Sequence, residues 1–217
     1  MGIASYVFAT SSVAKGQRSE RMPNLIYMGN FSHITVDNYE SDTNAENAHA
    51  LEGVSVGSDN LSIVHASVYD HEHDGVVSDD EHGTSDYIQY DVNGEHLCTY
   101  TDASLSAHVT LTLSDGSTQV VEVVMMQQQN GDLFISDLLN GGTLDNLSIA
   151  NVEITSITGS NYAGWYSNQS VDNTVIAPVT PVNHLDGYVD GTNAGETIDA
   201  NYADADGDCV DANDQLL

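Results

Sequence analysis

The stretch Ser104-Leu105-Ser106-Ala107-His108-Val109-Thr110-Leu111-Thr112-Leu113 decides how the chain reads. Leu105, Ala107, Val109, Leu111 and Leu113 alternate strictly with Ser104, Ser106, His108, Thr110 and Thr112. Successive side chains of a strand point to opposite faces, so a period of two predicts a strand with one buried and one wet face. Asp115-Gly116 then supplies a hairpin turn. Residues 118–126 are largely apolar at both parities, as expected of a central strand covered on both sides.

The same signals continue outward. Asn130-Gly131 marks the next turn, and residues 133–135 and 147–157 read as further strands. Upstream, residues 24–28 form a likewise apolar run, and Leu61 and Ile63 followed by Ala66 and Val68 suggest a strand with a slip in its alternation. One helix is expected. Thr43-Asn44-Ala45-Glu46 has the residue types of a capping box, helix formers run to Leu51, and Gly53 supplies a stop. Roughly seven strands at hairpin spacing predict a mainly β chain, an antiparallel β-sandwich with one short helix and a C-terminal calcium-binding tail.

Charge narrows the function. Among 217 residues, 33 are Asp or Glu and 3 are Lys or Arg, a formal net charge of -30. The three basic residues are Lys15, Arg18 and Arg21, so residues 22–217 carry no permanent positive charge. Nucleic-acid and anionic-membrane partners are therefore not expected, and cations are. A hydrophobic fraction of 40% with 7% aromatic residues is that of a folding chain, not an acidic disordered tail. No apolar run approaches the ~18 residues of a membrane span. The apolar residues 3–9 precede the basic ones, the reverse of a secretory signal. The expected organisation is a leader or upstream extension over 1–21, a β-sandwich domain over 22–175, and a linker with an acidic tail over 176–217. Cys98 and Cys209 are too few for a disulfide framework and are expected to be free thiols.

Residues 70–81 match a twelve-residue calcium loop by position. Asp70, Glu72 and Asp74 stand at positions 1, 3 and 5, and Gly75 stands at the turn position 6. Val76 would offer its carbonyl at 7, Ser78 an oxygen at 9, and Glu81 a bidentate carboxylate at 12. Calcium takes six to eight oxygens, which is why one short segment must wrap around a single centre. Glu72 is longer than the Asp or Asn usual at position 3. Two carboxylates ~4 Å apart repel by about 4 kcal/mol at an effective dielectric of ~20, so this segment calls for a cation. His71, His73 and His82 leave a zinc or copper site as an alternative reading. In the tail, Asp204, Asp206, Asp208, Asp211 and Asp214 have the spacing of repeat-type calcium turns, after a degenerate glycine and aspartate nonapeptide over 191–199.

Catalytic patterns are absent: the sequence contains no nucleophile elbow, Walker loop, His-Glu-x-x-His or dinucleotide fingerprint, and no enzymatic activity is expected. The alternative function is a carbohydrate-binding or carbohydrate-active sandwich using Trp165 and Tyr166, which requires Trp165 to be exposed.

Several of these segments are similar to one known family. Met28-Gly29-Asn30-Phe31, Glu46-Asn47-Ala48 through Leu51, the 70–81 loop, Asn130-Gly131-Asp132-Leu133-Phe134, and the tail from Asp190-Gly191-Thr192 to Asp214 carry the likeness. Residues 24–217 resemble the N-terminal region of secreted bacterial Hint (hedgehog/intein) proteins with hemolysin-type calcium repeats. The resemblance implies an extracellular setting, export by a type I route and folding with calcium. Neither cysteine stands in a Hint-like context and no Hint block falls within the 217 residues, so no self-processing activity carries over.

Overall fold

The computed structural model describes residues 22–38, 44–70, 75–77, 86–138, 141–160, 165–166 and 169–180. The leader over 1–21 and the acidic tail, with Asp204, Asp206, Asp208, Asp211 and Asp214, lie outside them. Eleven strands are described: β1 (Asn24–Asn30), β2 (Ser55–Gly57), β3 (Ser62–Tyr69), β4 (Val76–Val77), β5 (Tyr87–Val92), β6 (Glu95–Leu113), β7 (Thr118–Gln128), β8 (Asp132–Asp137), β9 (Ser148–Gly159), β10 (Trp165–Tyr166) and β11 (Val175–Ile176). Nine belong to one sheet, antiparallel except where β11 adds to β9, while β4 and β10 pair with each other.

The alternating stretch lies in β6, which is longer than expected at 19 residues. Its first part pairs with β5, and its second part lies between β7 and β9. Tyr100 O accepts from Gln129 N on the β7 side, whereas Thr101 N donates to Asp86 O on the β5 side. The C=O of Tyr100 and the N–H of Thr101 belong to one trans peptide group and point to opposite edges of the strand, so β5 and β7 flank β6 on opposite sides. The pairings β1–β3, β3–β5, β5–β6, β6–β7, β7–β8 and β8–β1 therefore close into a ring. Closure leaves these strands fewer open edges to manage.

Both faces of β8, of the centre of β1 and of the second half of β7 are dry. Ile26, Met28, Val123, Met125, Leu133 and Ile135 face one apolar cluster, shared with Leu105, Val109, Leu111, Val152 and Ile154. Their neighbours Leu25, Tyr27, Val124, Met126 and Phe134 face a second, shared with Val64, Ile88, Tyr90 and Trp165. This is why β1, β7 and β8 read as unbroken apolar runs. The register of β6 on β7 shifts between Thr101 and Ala103. One extra residue reverses the faces, so Leu97 packs on the second cluster while Ala103, Leu105 and Ala107 pack on the first.

Four expectations need correction. Ser104 and Ser106 are buried, not wet, because the face opposite Leu105 is also covered; His108 is exposed as expected. The apparent slip between Ile63 and Ala66 is no bulge: β3 pairs without a register shift, first with β1 and then with β5. Ile63 packs on the first cluster and Val64, Ala66 and Val68 on the second. The expected helix ending at Leu51 is a single 3-10 turn over Ala48–Leu51, and among the described residues there is no α-helix. Glu46 does not act as a cap partner, since its carboxylate accepts from Asn38 N at 3.3 Å, and the Asn47 amide donates to Thr35 O at 2.8 Å. These side chains bind the preceding loop, and four residues cannot nucleate an α-helix unaided. The strand count is also higher than expected, and hydrogen bonding runs through one sheet because β3 pairs with two strands and β6 with three.

The hairpin turns behave as read. Gly116 has φ +82° and Ser117 N and Oγ both donate to Asp115 Oδ1. Gly131 has φ +88°, and a Cβ there would stand 2.4 Å from the Ser32 backbone, so both conformation and space demand glycine. Pairing continues past residue 175: Ala177 N donates to Ile149 O and Thr180 N to Ser114 O.

Candidate functional site

Of the acidic loop, Asp70, Gly75, Val76 and Val77 are described, whereas Glu72, Asp74, Ser78, Glu81 and the three histidines His71, His73 and His82 lie outside the described residues. Asp70 follows the last residue of β3. Its Oδ2 accepts a hydrogen bond from Gly75 N at 2.7 Å, and Gly75 adopts φ +90°. Among the described residues outside its chain neighbours no atom would lie within 4 Å of an added Cβ, and the positive φ alone favours glycine there. The carboxylate at loop position 1 and the amide at position 6 thus converge. Val76 then enters β4 opposite Tyr166, and Val77 is buried opposite Trp165. The loop is anchored to the second apolar cluster at that point. Among the described residues no three His, Cys, Asp or Glu side chains are grouped to hold a metal.

Trp165 is fully buried in the second cluster, with no hydrogen-bond partner for its indole nitrogen among the described residues. The sugar platform expected at Trp165 requires an exposed ring, and burial removes that feature. Cys98 is a free, exposed thiol; Cys209 lies outside the described residues.

A second polar centre was not expected. Asp132, at the start of β8 and 2% exposed, accepts four hydrogen bonds. Tyr27 Oη donates to Oδ1 at 3.1 Å and Asn30 Nδ2 to the same oxygen at 2.9 Å. Tyr90 Oη donates to Oδ2 through a short contact, and Asn130 Nδ2 donates to it at 2.8 Å. The side-chain oxygen of Asn130 returns a bond to Asp132 N at 3.0 Å. With no Lys or Arg between residues 22 and 217, dipoles alone must solvate this buried carboxyl group. Burial, reinforced by Asp132, pushes the Tyr27 phenol up to about 12 and raises Tyr90 further still. These groups tie β1, β5, β8 and the 130–131 turn together. The available sequence signal was an Asp opening an apolar run directly after Asn-Gly, with tyrosines at inward parity in two other strands.

Comparison with known proteins gives no relative: no family model, no curated protein and no solved structure matches this chain.

Proposed function

We propose that this chain is a non-enzymatic, extracellular calcium-binding β module, exported by a type I route and stabilised by calcium once outside the cell. The observation that carries this reading is the closed turn in which Gly75 N donates to Asp70 Oδ2. A twelve-residue calcium loop needs its first carboxylate and its sixth-position glycine drawn together so that later oxygens reach the same centre. Glu72, Asp74, Val76, Ser78 and Glu81 are the remaining proposed ligands, with Asp204, Asp206, Asp208, Asp211 and Asp214 as a second proposed set in the tail.

Electrostatics supports a cation at this place. Residues 70–91 hold eight acidic residues, and no basic residue lies anywhere between 22 and 217 to offset them. Apolar layers on both faces of the sheet give a sandwich-like scaffold on which an acidic loop is held by β4 and β10. The likeness to the N-terminal regions of secreted Hint proteins supports the extracellular setting.

The test is thermal unfolding of the full chain with calcium, with magnesium, with zinc, and with chelator. Calcium at 100 times its dissociation constant adds about 2.7 kcal/mol per site, so the midpoint should rise by several degrees over the chelated protein. Asp70→Ala should remove most of the loop's share. An unchanged midpoint, or one that zinc alone raises, overturns the proposal.

A further inference from the structure

The outer face of β3, β5 and β6 carries an aromatic ladder. Tyr69 stands directly opposite Tyr87, and Tyr87 directly opposite Tyr100, on three adjacent strands. The Tyr69 and Tyr87 rings stack with centroids 4.6 Å apart and planes 15° apart, while Tyr100 meets Tyr87 edge to face at 5.8 Å and 80°. Tyr69 and Tyr100 are 44% and 47% exposed, and they are the only aromatic residues among the large exposed apolar side chains of the described region. The next row along the strands is Ser67, Gln89 and Cys98, likewise on the outer face. Beyond it Asp91 is bonded to His96 at 2.8 Å.

Cross-strand pairing accounts for Tyr69 on Tyr87, since opposed aromatic residues stabilise a sheet by about 0.2–1 kcal/mol. It accounts equally for Tyr100 on Tyr87, but not for the exposure of the ladder, whose two outer rings each leave nearly half of their surface in water. Three rings in register span about 10 Å across the strands, given a strand spacing of about 4.8 Å. We propose that this face is a binding platform for a neutral glycan, with Tyr69, Tyr87 and Tyr100 receiving the apolar faces of the sugar rings and Ser67 and Gln89 meeting its hydroxyls.

The chemistry of the face selects that partner. A phenol has an apolar body and a polar tip, which suits a ligand whose own surface alternates C–H faces with hydroxyls. An aliphatic partner would leave the phenol hydroxyls and the Gln89 amide poorly matched. An anionic ligand meets a chain of net charge -30. The face itself is neutral in its two central rows, and its exposed carboxylate Asp91 is already engaged by His96, so a cationic partner has no local counter-charge in those rows. The ladder lies wholly on described strands and does not rest on the calcium reading.

Native affinity electrophoresis of the full chain, in calcium, through gels containing β-glucan, xylan, mannan or dextran tests the proposal. At least one of these neutral polysaccharides should retard the wild type. Tyr100→Ala and Tyr69→Ala should each weaken that retardation about tenfold or more, the loss typical of an aromatic anchor. Tyr100→Trp should keep it, and Val120→Ala, on exposed β7 surface, should not change it. Urea unfolding of each variant separates a lost fold from a lost contact. No retardation in any neutral gel overturns the proposal, as does wild-type behaviour of both alanine variants. Retardation confined to alginate or polylysine, or a dimer in light scattering that Tyr100→Ala dissolves, overturns it too.

Discussion

Replacing Asp132 by Ala should be among the most costly single changes in the described sheet. The substitution strips the acceptor from four donors at once. Asn30 is exposed and Asn130 half-buried, so their amides can return to water at small cost. Tyr27 and Tyr90 cannot, being 6% and 1% exposed. Tyr27 Oη is then left with no partner among the described residues, while Tyr90 Oη loses its acceptor but still accepts from Asn130 Nδ2 at 3.2 Å; at about 1–3 kcal/mol for a fully orphaned phenol, Asp132→Ala should cost about 2–4 kcal/mol. Tyr90→Phe removes one donor and leaves Asp132 with three, so it should cost about 1.5–3 kcal/mol. The informative species is the double variant. Once Asp132 is gone the Tyr90 hydroxyl has lost its acceptor and keeps only the bond from Asn130 Nδ2, so adding Tyr90→Phe should cost much less than it does in the wild type. Urea unfolding at constant calcium reads all three, with emission from Trp165, the chain's single tryptophan, as the probe; it is buried in the same cluster as Tyr27 and Tyr90. Asp132→Ala within 0.5 kcal/mol of wild type, on the order of a neutral surface change, or strict additivity in the double variant, would refute the bracing role.

Two further outcomes follow from the same geometry. Gly131→Ala combines a φ of +88° with a Cβ 2.4 Å from Ser32 backbone atoms, whereas Gly94→Ala meets φ +81° with nothing within 4 Å. Gly131→Ala should therefore cost about 2–5 kcal/mol and Gly94→Ala only about 1–2, and equal unfolding midpoints for the two would contradict the packing described. Alkali should weaken the fold: Tyr27 and Tyr90 hold their protons to higher pH when folded than the ordinary value of about 10, so above that the native state binds more protons and stability falls as pH rises through about 12. Urea midpoints between pH 8 and 11.5 measure this, and Tyr27→Phe with Tyr90→Phe should flatten the decline; a decline of the same steepness in that variant would contradict it.

The acidic loop was legible at the level of spacing, because a calcium loop is a local device whose ligands recur at fixed offsets along one segment. Of that loop the structure describes one contact between proposed positions, Gly75 N donating to Asp70 Oδ2. Trp165 was not legible in the same way. A tryptophan between two tyrosines is compatible with a sugar platform or with a core, and the pairing of Trp165 with Val77 on the second cluster decided for the core. The aromatic ladder was invisible for the opposite reason: Tyr69, Tyr87 and Tyr100 are separated by 18 and 13 residues (87 - 69 and 100 - 87) and meet only through cross-strand register.

The sequence by itself determined the strands, because alternation and turn chemistry are short-range: Leu105 to Leu113 at period two, Asp115-Gly116 and Asn130-Gly131 are each read within a few residues. It determined the charge as well. Tertiary structure alone decided that both faces of β8, of the centre of β1 and of the second half of β7 are covered, that Ser104 is dry and that the ring of strands closes. It also decided that Asp132 is braced by residues from β1, β5 and the turn before β8. Such facts depend on partners far apart in sequence, 105 residues for Tyr27 and Asp132. Periodicity says which residues of a strand share a face; only the packed sheet says what that face meets.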